Sequence, residues 1–429
     1  MIEPKPITFN YYQSKPGHPD WKALQEQAVQ LAREIEPLIH KDSDDRFRDK
    51  LADQKRKMKS LATAINNYRI NRQRWKQGNH ALRPLYFIWT LLYRCNFRCS
   101  YCDDHRGNAY YNLEDKHLDF DERVKVLKLM RTGTSAIYFC GGEPTIDPDL
   151  PKFTELAFNL GYHPLMINTN GYVLDSVLKK PEWRKWLRQM DIIIVSLDSL
   201  SIPKLQQLWG VKRVEQVLVN LLMLRELRKV VDFKLVVNTV IGEDTVEDAG
   251  DVLDFANDLG DVWFAPVPIN YHGKKSEGTF SFKQDMINRD DYQALASKIL
   301  TRKKQARLII GSYHILEMLL YVQDYHCLPT LRPHVDPDGR IAWPCRAPKN
   351  VAPVYVNLLD YTNLDECWDA AMNLKSATNF HGPGQNQCGD MCAWMQNYTT
   401  GRYYEFLTNP LGAGAISEIK EFAFQSARS

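Results

Sequence analysis

The sequence contains no run of about 18 uninterrupted apolar residues, the length a helix needs to cross a bilayer. Its first stretch, "MIEPKPITFNYYQSKPGHPDW", lacks the basic-then-apolar order of a secretory signal. A cytoplasmic protein without a membrane span is therefore expected. Cysteine is neither scarce nor paired: nine residues, an odd number and unevenly clustered, do not make a secreted disulfide framework and point to metal ligation. Net charge is only +3, yet residues 1–85 hold 17 Lys and Arg against 10 Asp and Glu, a surplus of +7 that leaves −4 for the rest. The basic part is expected to be a separate region, residues 1–84, helical and without convincing strands.

Within that region the pattern is helical from about residue 20 to 76. In "KRKMKSLATAINNYRINRQRWK" Met58, Leu61, Ile65 and Tyr68 recur at spacings of three and four, one apolar stripe among Lys and Arg. A helix packed on the main domain by that stripe is the plain reading. An anionic partner for its basic face, whether membrane surface, nucleic acid or acidic peptide, is the other.

After "NHALRP" short apolar runs alternate with amphipathic ones: "LYFIWTLLY", "SAIYFCGG", "PLMINTNG", "DIIIVSLDS", "FKLVVNTVIG" and "DVWFAPVPI", with helical stretches such as "DERVKVLKLMR" between them. Continuous apolar strands separated by helices imply a parallel sheet covered by helices. Six such units predict an α/β fold, a partial (β/α)6 barrel over residues 85–310. Ligands of such barrels gather at the C-terminal ends of the strands. All four unusual motifs of the chain follow strands in this way: the cysteine triplet, "GGEP", "NTNG" and "SLDS".

The triplet is "RCNFRCSYC", with Cys95, Cys99 and Cys102 in a CxxxCxxC spacing and no fourth cysteine nearby. A structural zinc ion asks for four protein ligands, whereas three thiolates on one loop can hold three irons of a cubane and leave the fourth open to a small molecule. Alone, the triplet could also bind zinc or be fortuitous. Joined to Gly141-Gly142-Glu143-Pro144 one strand later, it resembles the radical S-adenosylmethionine (radical SAM) superfamily over roughly residues 85–270.

That resemblance implies a [4Fe-4S] cluster on Cys95, Cys99 and Cys102, with SAM chelating the open iron. One electron then cleaves SAM to methionine and a 5′-deoxyadenosyl radical, which abstracts hydrogen from an unactivated C–H bond. It also implies a reductase partner such as flavodoxin or ferredoxin. Tyr101 stands where the family carries an aromatic residue near adenine. Gly141 and Gly142 would let the backbone approach the ligand, Glu143 would accept from the methionyl amine, and Pro144 completes the motif. Further SAM candidates are Thr169 and Asn170 at the third strand's end, Ser196 and Asp198 at the fourth and Asn238 on the fifth. Asp198 and Asp103 are the candidates for a catalytic carboxylate, although Asp198 could instead cap the following helix. The family's fifth-strand glycine-and-isoleucine pattern is only loosely present in "NTVIGEDTVED". Cys140, inside the second strand, reads as a buried small apolar residue.

Residues 311–429 are loop-rich and hold Cys327, Cys345, Cys367, Cys388 and Cys392. Cys345 lies behind a Pro-Asp-Gly hairpin signal, "HVDPDGRIAWPCR". This region resembles the shortened "twitch" relative of the SPASM extension of radical SAM enzymes, which implies one auxiliary [4Fe-4S] cluster on Cys327, Cys345, Cys388 and Cys392. Zinc is the alternative for those four, and Cys367 reads as core.

The expected function is radical SAM chemistry, with a peptide or protein as the leading substrate class. A lipid, sugar or other small-molecule intermediate is the alternative, since the winged-helix domain with which peptide-modifying relatives often grip a leader has no counterpart strands in residues 1–85. A zinc-stapled nucleic-acid-binding protein is the non-enzymatic reading, for which Tyr68 and Trp75 supply little aromatic interleaving.

Overall fold

The computed structural model describes residues 15–41, 46–103, 108–269, 274–275, 278–279, 282–346, 353–377, 395–410 and 412. Two long helices come first, α1 (Trp21–Lys41) and α2 (Arg46–Lys76). The alternating part follows: β1 (Phe87–Thr90), α3 (Phe120–Arg131), β2 (Ile137–Cys140), α4 (Leu150–Asn159), β3 (Leu165–Thr169), α5 (Leu174–Val177), α6 (Pro181–Gln189), β4 (Ile192–Ser196), α7 (Ile202–Trp209), α8 (Glu215–Leu227), β5 (Lys234–Ile241), α9 (Val246–Asp258) and β6 (Trp263–Pro268). Beyond it lie β7 (Lys274–Lys275), β8 (Gly278–Thr279), α10 (Phe282–Asp285), α11 (Asp290–Lys304), α12 (Tyr313–Leu320), β9 (His334–Val335), β10 (Arg340–Trp343), β11 (Val354–Asn357), α13 (Leu364–Leu374) and α14 (Met395–Thr408).

Strands β1 to β6 pair in sequence order, all parallel, as the six apolar runs predict. The sheet stays open, an α/β partial barrel. On its outer face Ile137, Phe139, Leu165, Ile167, Ile193, Val195, Leu235 and Val237 are wholly buried beneath the helices. The pleat sends the alternate residues to the lumen, where Tyr138, Cys140, Met166, Asn168, Ile194, Ser196 and Asn238 are only half-buried. Toward β6 the lumen is filled by Val236, Trp263 and Ala265 against Ile192, Ile194, Leu308 and Ile310.

The C-terminal hairpin forms where Pro-Asp-Gly places it, β9 antiparallel to β10, closed by Gly339 N–H donating to Asp336 O at 3.0 Å. It does not stand apart from the barrel sheet. β9 pairs in parallel with β1, so the sheet runs β11-β10-β9-β1-β2-β3-β4-β5-β6.

Helix α1 buries Trp21, Leu24, Ala28, Ala32, Ile35 and Ile39, at spacings of three and four, against α8. This covering explains why α8, "EQVLVNLLMLREL", is apolar almost all round. Helix α2 packs on the main body as expected, and Tyr68 of its apolar stripe does so against α14, but the rest of the stripe does not face inward. Met58, Leu61 and Ile65 are 72%, 63% and 48% exposed. The face turned to the barrel is polar: Arg56 donates to Asp191 at 2.6 and 2.8 Å and to Tyr162 O at 2.7 Å, Ser60 meets Ser135 Oγ at 2.7 Å and His163 O at 2.6 Å, and Asn67 donates to Gly133 O at 2.6 Å. These partners belong to the segments entering β2, β3 and β4. The N-terminal end of the barrel presents carbonyls and a carboxylate there, and a helix lying across it must supply donors.

Candidate functional site: a thiol loop at the C-terminal rim of the barrel

Beyond Thr90 the chain continues extended and keeps pairing with the segment after β2. Leu91 N–H donates to Cys140 O at 2.8 Å, Gly142 N–H to Leu92 O at 2.7 Å and Glu143 N–H to Arg94 O at 3.0 Å. A Cβ on Gly142 would stand 2.1 Å from Arg94 O, and one on Gly141, whose φ is +148°, 2.5 Å from Leu92 O. The two glycines are thus required by backbone approach to the thiol loop itself, a nearer cause than the approach to a ligand expected from the motif. Pro144 then opens a single 3₁₀ turn, Pro144–Ile146.

Glu143 knits this loop to the third strand. Its carboxylate accepts from Thr145 N at 2.9 Å, Thr145 Oγ1 at 2.5 Å, Thr169 Oγ1 at 2.6 Å and Asn170 N at 2.6 Å. It is 1% exposed, and burial raises its pKa against those donors. Three donors converge on Oε1, while Oε2 takes only the Asn170 amide and keeps capacity for another. Thr169 and Asn170 accordingly serve the loop before any ligand. Asn170 Nδ2 also reaches Asn96 Oδ1 at 2.7 Å, beside Cys95.

The other side of the thiol loop rests on the end of α7. Arg98 N–H donates to Trp209 O and Ser100 N–H to Leu208 O, both at 2.9 Å, and Phe97 packs on Trp209 and Tyr172 with ring centres 5.4 and 5.6 Å apart. Gly210 ends α7 in the left-handed region, φ +64°, and a Cβ there would crowd Arg98 O at 3.1 Å. Tyr101 donates to Asp198, which also accepts from Trp209 Nε1 at 2.8 Å and Val240 N at 2.9 Å. Asp198 is wholly buried, and burial raises its pKa despite these donors. Its partners are therefore protein groups, and Tyr101 is aimed at it.

Cys95, Cys99 and Cys102 are half-buried and unbridged. Burial pushes the Cys95 thiol up to about 11 and the Cys102 thiol to about 12, and Cys99 higher still, with the neighbouring thiols adding to the rise at Cys99 and Cys102. The three are near enough to repel as thiolates, so a metal cluster here displaces their protons on binding. Among the described residues no three His, Cys, Asp or Glu side chains converge on a point that would hold a single metal ion. Asp103 sits beside Cys102 and bridges by its backbone to Ala109.

Ser196 and Asn238 pair in register on the lumen face. Asn168, one pleat deeper and level with Ile194, joins them. The Oδ1 atoms of Asn168 and Asn238 are buried without a protein partner, acceptors left for a ligand in the lumen. Asn168 was not singled out from the sequence, because only the pleat shows that it faces inward while Thr169 does not. Cys140 is on this lumen face too, its sulfur 3.8 Å from Thr90 Oγ1 rather than packed under the helices.

In the C-terminal part Cys327 lies in a small core with Tyr325 and Tyr398, and Cys345 accepts from Arg332 at 3.5 Å. Cys388 and Cys392 lie outside the described residues. Cys367 is fully buried in the core, as read. An ion pair missed from the sequence, Arg346–Asp336, is buried near Tyr93 and Tyr110.

Residues 89–256 match the model of the radical SAM superfamily. The chain carries a radical SAM domain over those residues. Its sequence is 25% identical over 264 residues to the probable GTP 3′,8-cyclase of Saccharolobus solfataricus, covering 59% of this chain and 80% of that protein. Its fold is like that of SuiB from Streptococcus suis, solved with S-adenosylmethionine, with a TM-score of 0.53, 18% identity and 74% of each chain covered. Against SuiB solved with its precursor peptide SuiA the TM-score is 0.51 at 16% identity, over 74% of this chain and 73% of that one. The superfamily implies a [4Fe-4S] cluster and SAM. The radical SAM rim found here suits both: three mutually close thiols on one pinned loop, and unpartnered acceptors in the lumen beside it. No helix among the described residues is long and apolar enough to cross a membrane.

Proposed function

We propose that this radical SAM enzyme removes a hydrogen atom from a peptide or protein substrate held in the lumen. Cys95, Cys99 and Cys102 hold the cluster in this reading. Glu143 Oε2, Ser196 and Asn238 offer acceptors to the amine and hydroxyls of SAM, and Gly141 to Pro144 shape the edge. Bound there and given one electron from a flavodoxin or ferredoxin through the cluster, SAM would supply a 5′-deoxyadenosyl radical and release methionine. The protein's part is positional. The Glu143 hub and the Tyr101–Asp198 bond hold the thiol loop from two sides, and the filled β4–β6 side of the lumen limits where a substrate can lie.

The observation that carries the peptide reading is the extent of the likeness to SuiB. At 74% of this chain it reaches beyond the matched domain of residues 89–256 into the flanking parts, and SuiB has been solved with a peptide in place. Residues 311–429 are proposed as the auxiliary-cluster region, with Cys327, Cys345, Cys388 and Cys392 as ligands. A second reading, chemistry on a nucleotide, rests on the cyclase relative, whose 25% identity exceeds that to SuiB.

Deuterium transfer separates the two readings. Reconstituted enzyme is given SAM, dithionite and either the peptide or the small-molecule fraction of an extract from cells grown in deuterated medium. Deuterated 5′-deoxyadenosine from the peptide fraction alone supports the proposal. Label arriving from the small-molecule fraction, or a product formed from GTP, overturns it.

A further inference from the structure

Helix α2 is amphipathic with its sides reversed. Its polar face, Arg56, Ser60, Asn67 and Asn71, is buried against the barrel, while Leu51, Met58, Leu61 and Ile65 face solvent at 41%, 72%, 63% and 48% exposure. Leu51, Met58 and Ile65 recur every seven residues with Leu61 between them, a seam about 21 Å long at 1.5 Å per residue. Exposed Lys55, Lys59 and Arg69 flank it. From Gln54 to Lys76 the sequence holds eight Lys and Arg and no Asp or Glu. Met58, Leu61 and Ile65 at spacings of three and four, with Leu51 one heptad before them, put four large exposed apolar side chains on one side of a helix, which marks a contact surface rather than scattered surface residues.

We propose that this seam docks an acidic amphipathic helix of a separate polypeptide, at the end of the barrel opposite the thiol loop. Three features select that occupant. The stripe is narrow and heptad-spaced, as a helix–helix seam is. A membrane-surface helix instead offers a broad apolar face, commonly with Trp or Phe, and this stripe has neither. A second copy would set Lys55, Lys59 and Arg69 against their own kind, a like-charge penalty that Glu or Asp beside the partner's apolar stripe turns into attraction. The inward polar contacts also hold α2 rigid, so its outer face is preorganised for a partner.

The test uses the full-length reconstituted enzyme and two fluorescent four-heptad peptides with Leu at the seam positions, one flanked by Glu and one by Lys. Binding of the Glu peptide is expected, weakening with salt and falling at least about tenfold, some 1.4 kcal/mol, in Met58→Ser/Leu61→Ser/Ile65→Ser. These side chains are exposed, so the variant should keep the iron content and melting temperature of the wild type, and that is measured alongside. Equal affinity for both peptides, or an unchanged affinity in the variant, overturns the proposal. So does a dimer in light scattering, or co-sedimentation with phosphatidylserine vesicles, that the same substitutions abolish. Binding that appears only after deletion of residues 413–429 overturns it in favour of the chain's own C-terminal segment.

Discussion

Tyr101 and Asp198 are joined by a hydrogen bond from the phenol to a wholly buried carboxylate, which ties the residue before Cys102 to the end of β4. Asp198 also takes the Trp209 indole and the Val240 amide, so one side chain gathers the thiol loop, α7 and β5. Asp198→Ala would bury three donors without an acceptor and is expected to cost about 3 kcal/mol or more. Tyr101→Phe removes a single donor and should leave the protein folded with its iron, but alter the electron paramagnetic resonance spectrum of the reduced cluster with SAM. An unchanged spectrum would show that the bond does not position the loop.

Gly142 admits no side chain. With Arg94 O 2.1 Å from where a Cβ would lie, Gly142→Ala must push the thiol loop away from the second strand. Displacement of a positioned group costs rate steeply, so 5′-deoxyadenosine formation should fall on the order of a hundredfold. Iron retention should drop with it. Wild-type turnover and iron in the variant would refute the backbone account of the motif.

Asp191 supplies a pH dependence remote from the thiols. Burial raises its pKa, but hydrogen bonds from His163 and Arg56 outweigh this and hold it at about 2, below the ordinary 3.8. A depressed carboxylate stabilises the fold above its unfolded pKa, and that contribution is lost as pH falls through the folded value. The window here runs from about 4 down to about 2, with some 2 kcal/mol at stake. Asp191→Asn should therefore lower the stability of the cluster-free protein at pH 7 and converge on wild type near pH 2. A constant difference across that range would contradict the assignment.

Iron analysis tests the two sets of cysteines. Wild type should hold about eight irons per chain, and Cys95→Ala/Cys99→Ala/Cys102→Ala about four with no SAM cleavage. Cys345→Ala/Cys388→Ala should lose the other four and keep the first cluster. Zinc in the second set, or no loss on its mutation, would remove the auxiliary cluster from the account.

What the residues revealed by themselves was whatever depends on local pattern. Six apolar runs of strand length implied buried parallel strands, and three cysteines on the loop after the first of them, with GGEP one strand later, carried the resemblance to the radical SAM superfamily. The Pro-Asp-Gly turn was legible for the same reason. Contacts between segments far apart in the chain were not. That Asp198 accepts from Tyr101, Trp209 and Val240, that Glu143 is held by Thr169 and Asn170, and that Asn168 joins the lumen follow from strand register, pleat and the packing of loops at the rim. Helix α2 shows the limit most clearly. Its periodicity established an amphipathic helix, but which face turned inward was decided by the surface it met: carbonyls and a carboxylate at the end of the barrel asked for donors, so Arg56, Ser60 and Asn67 went in, Met58, Leu61 and Ile65 stayed out, and of the stripe only Tyr68 packs, against α14.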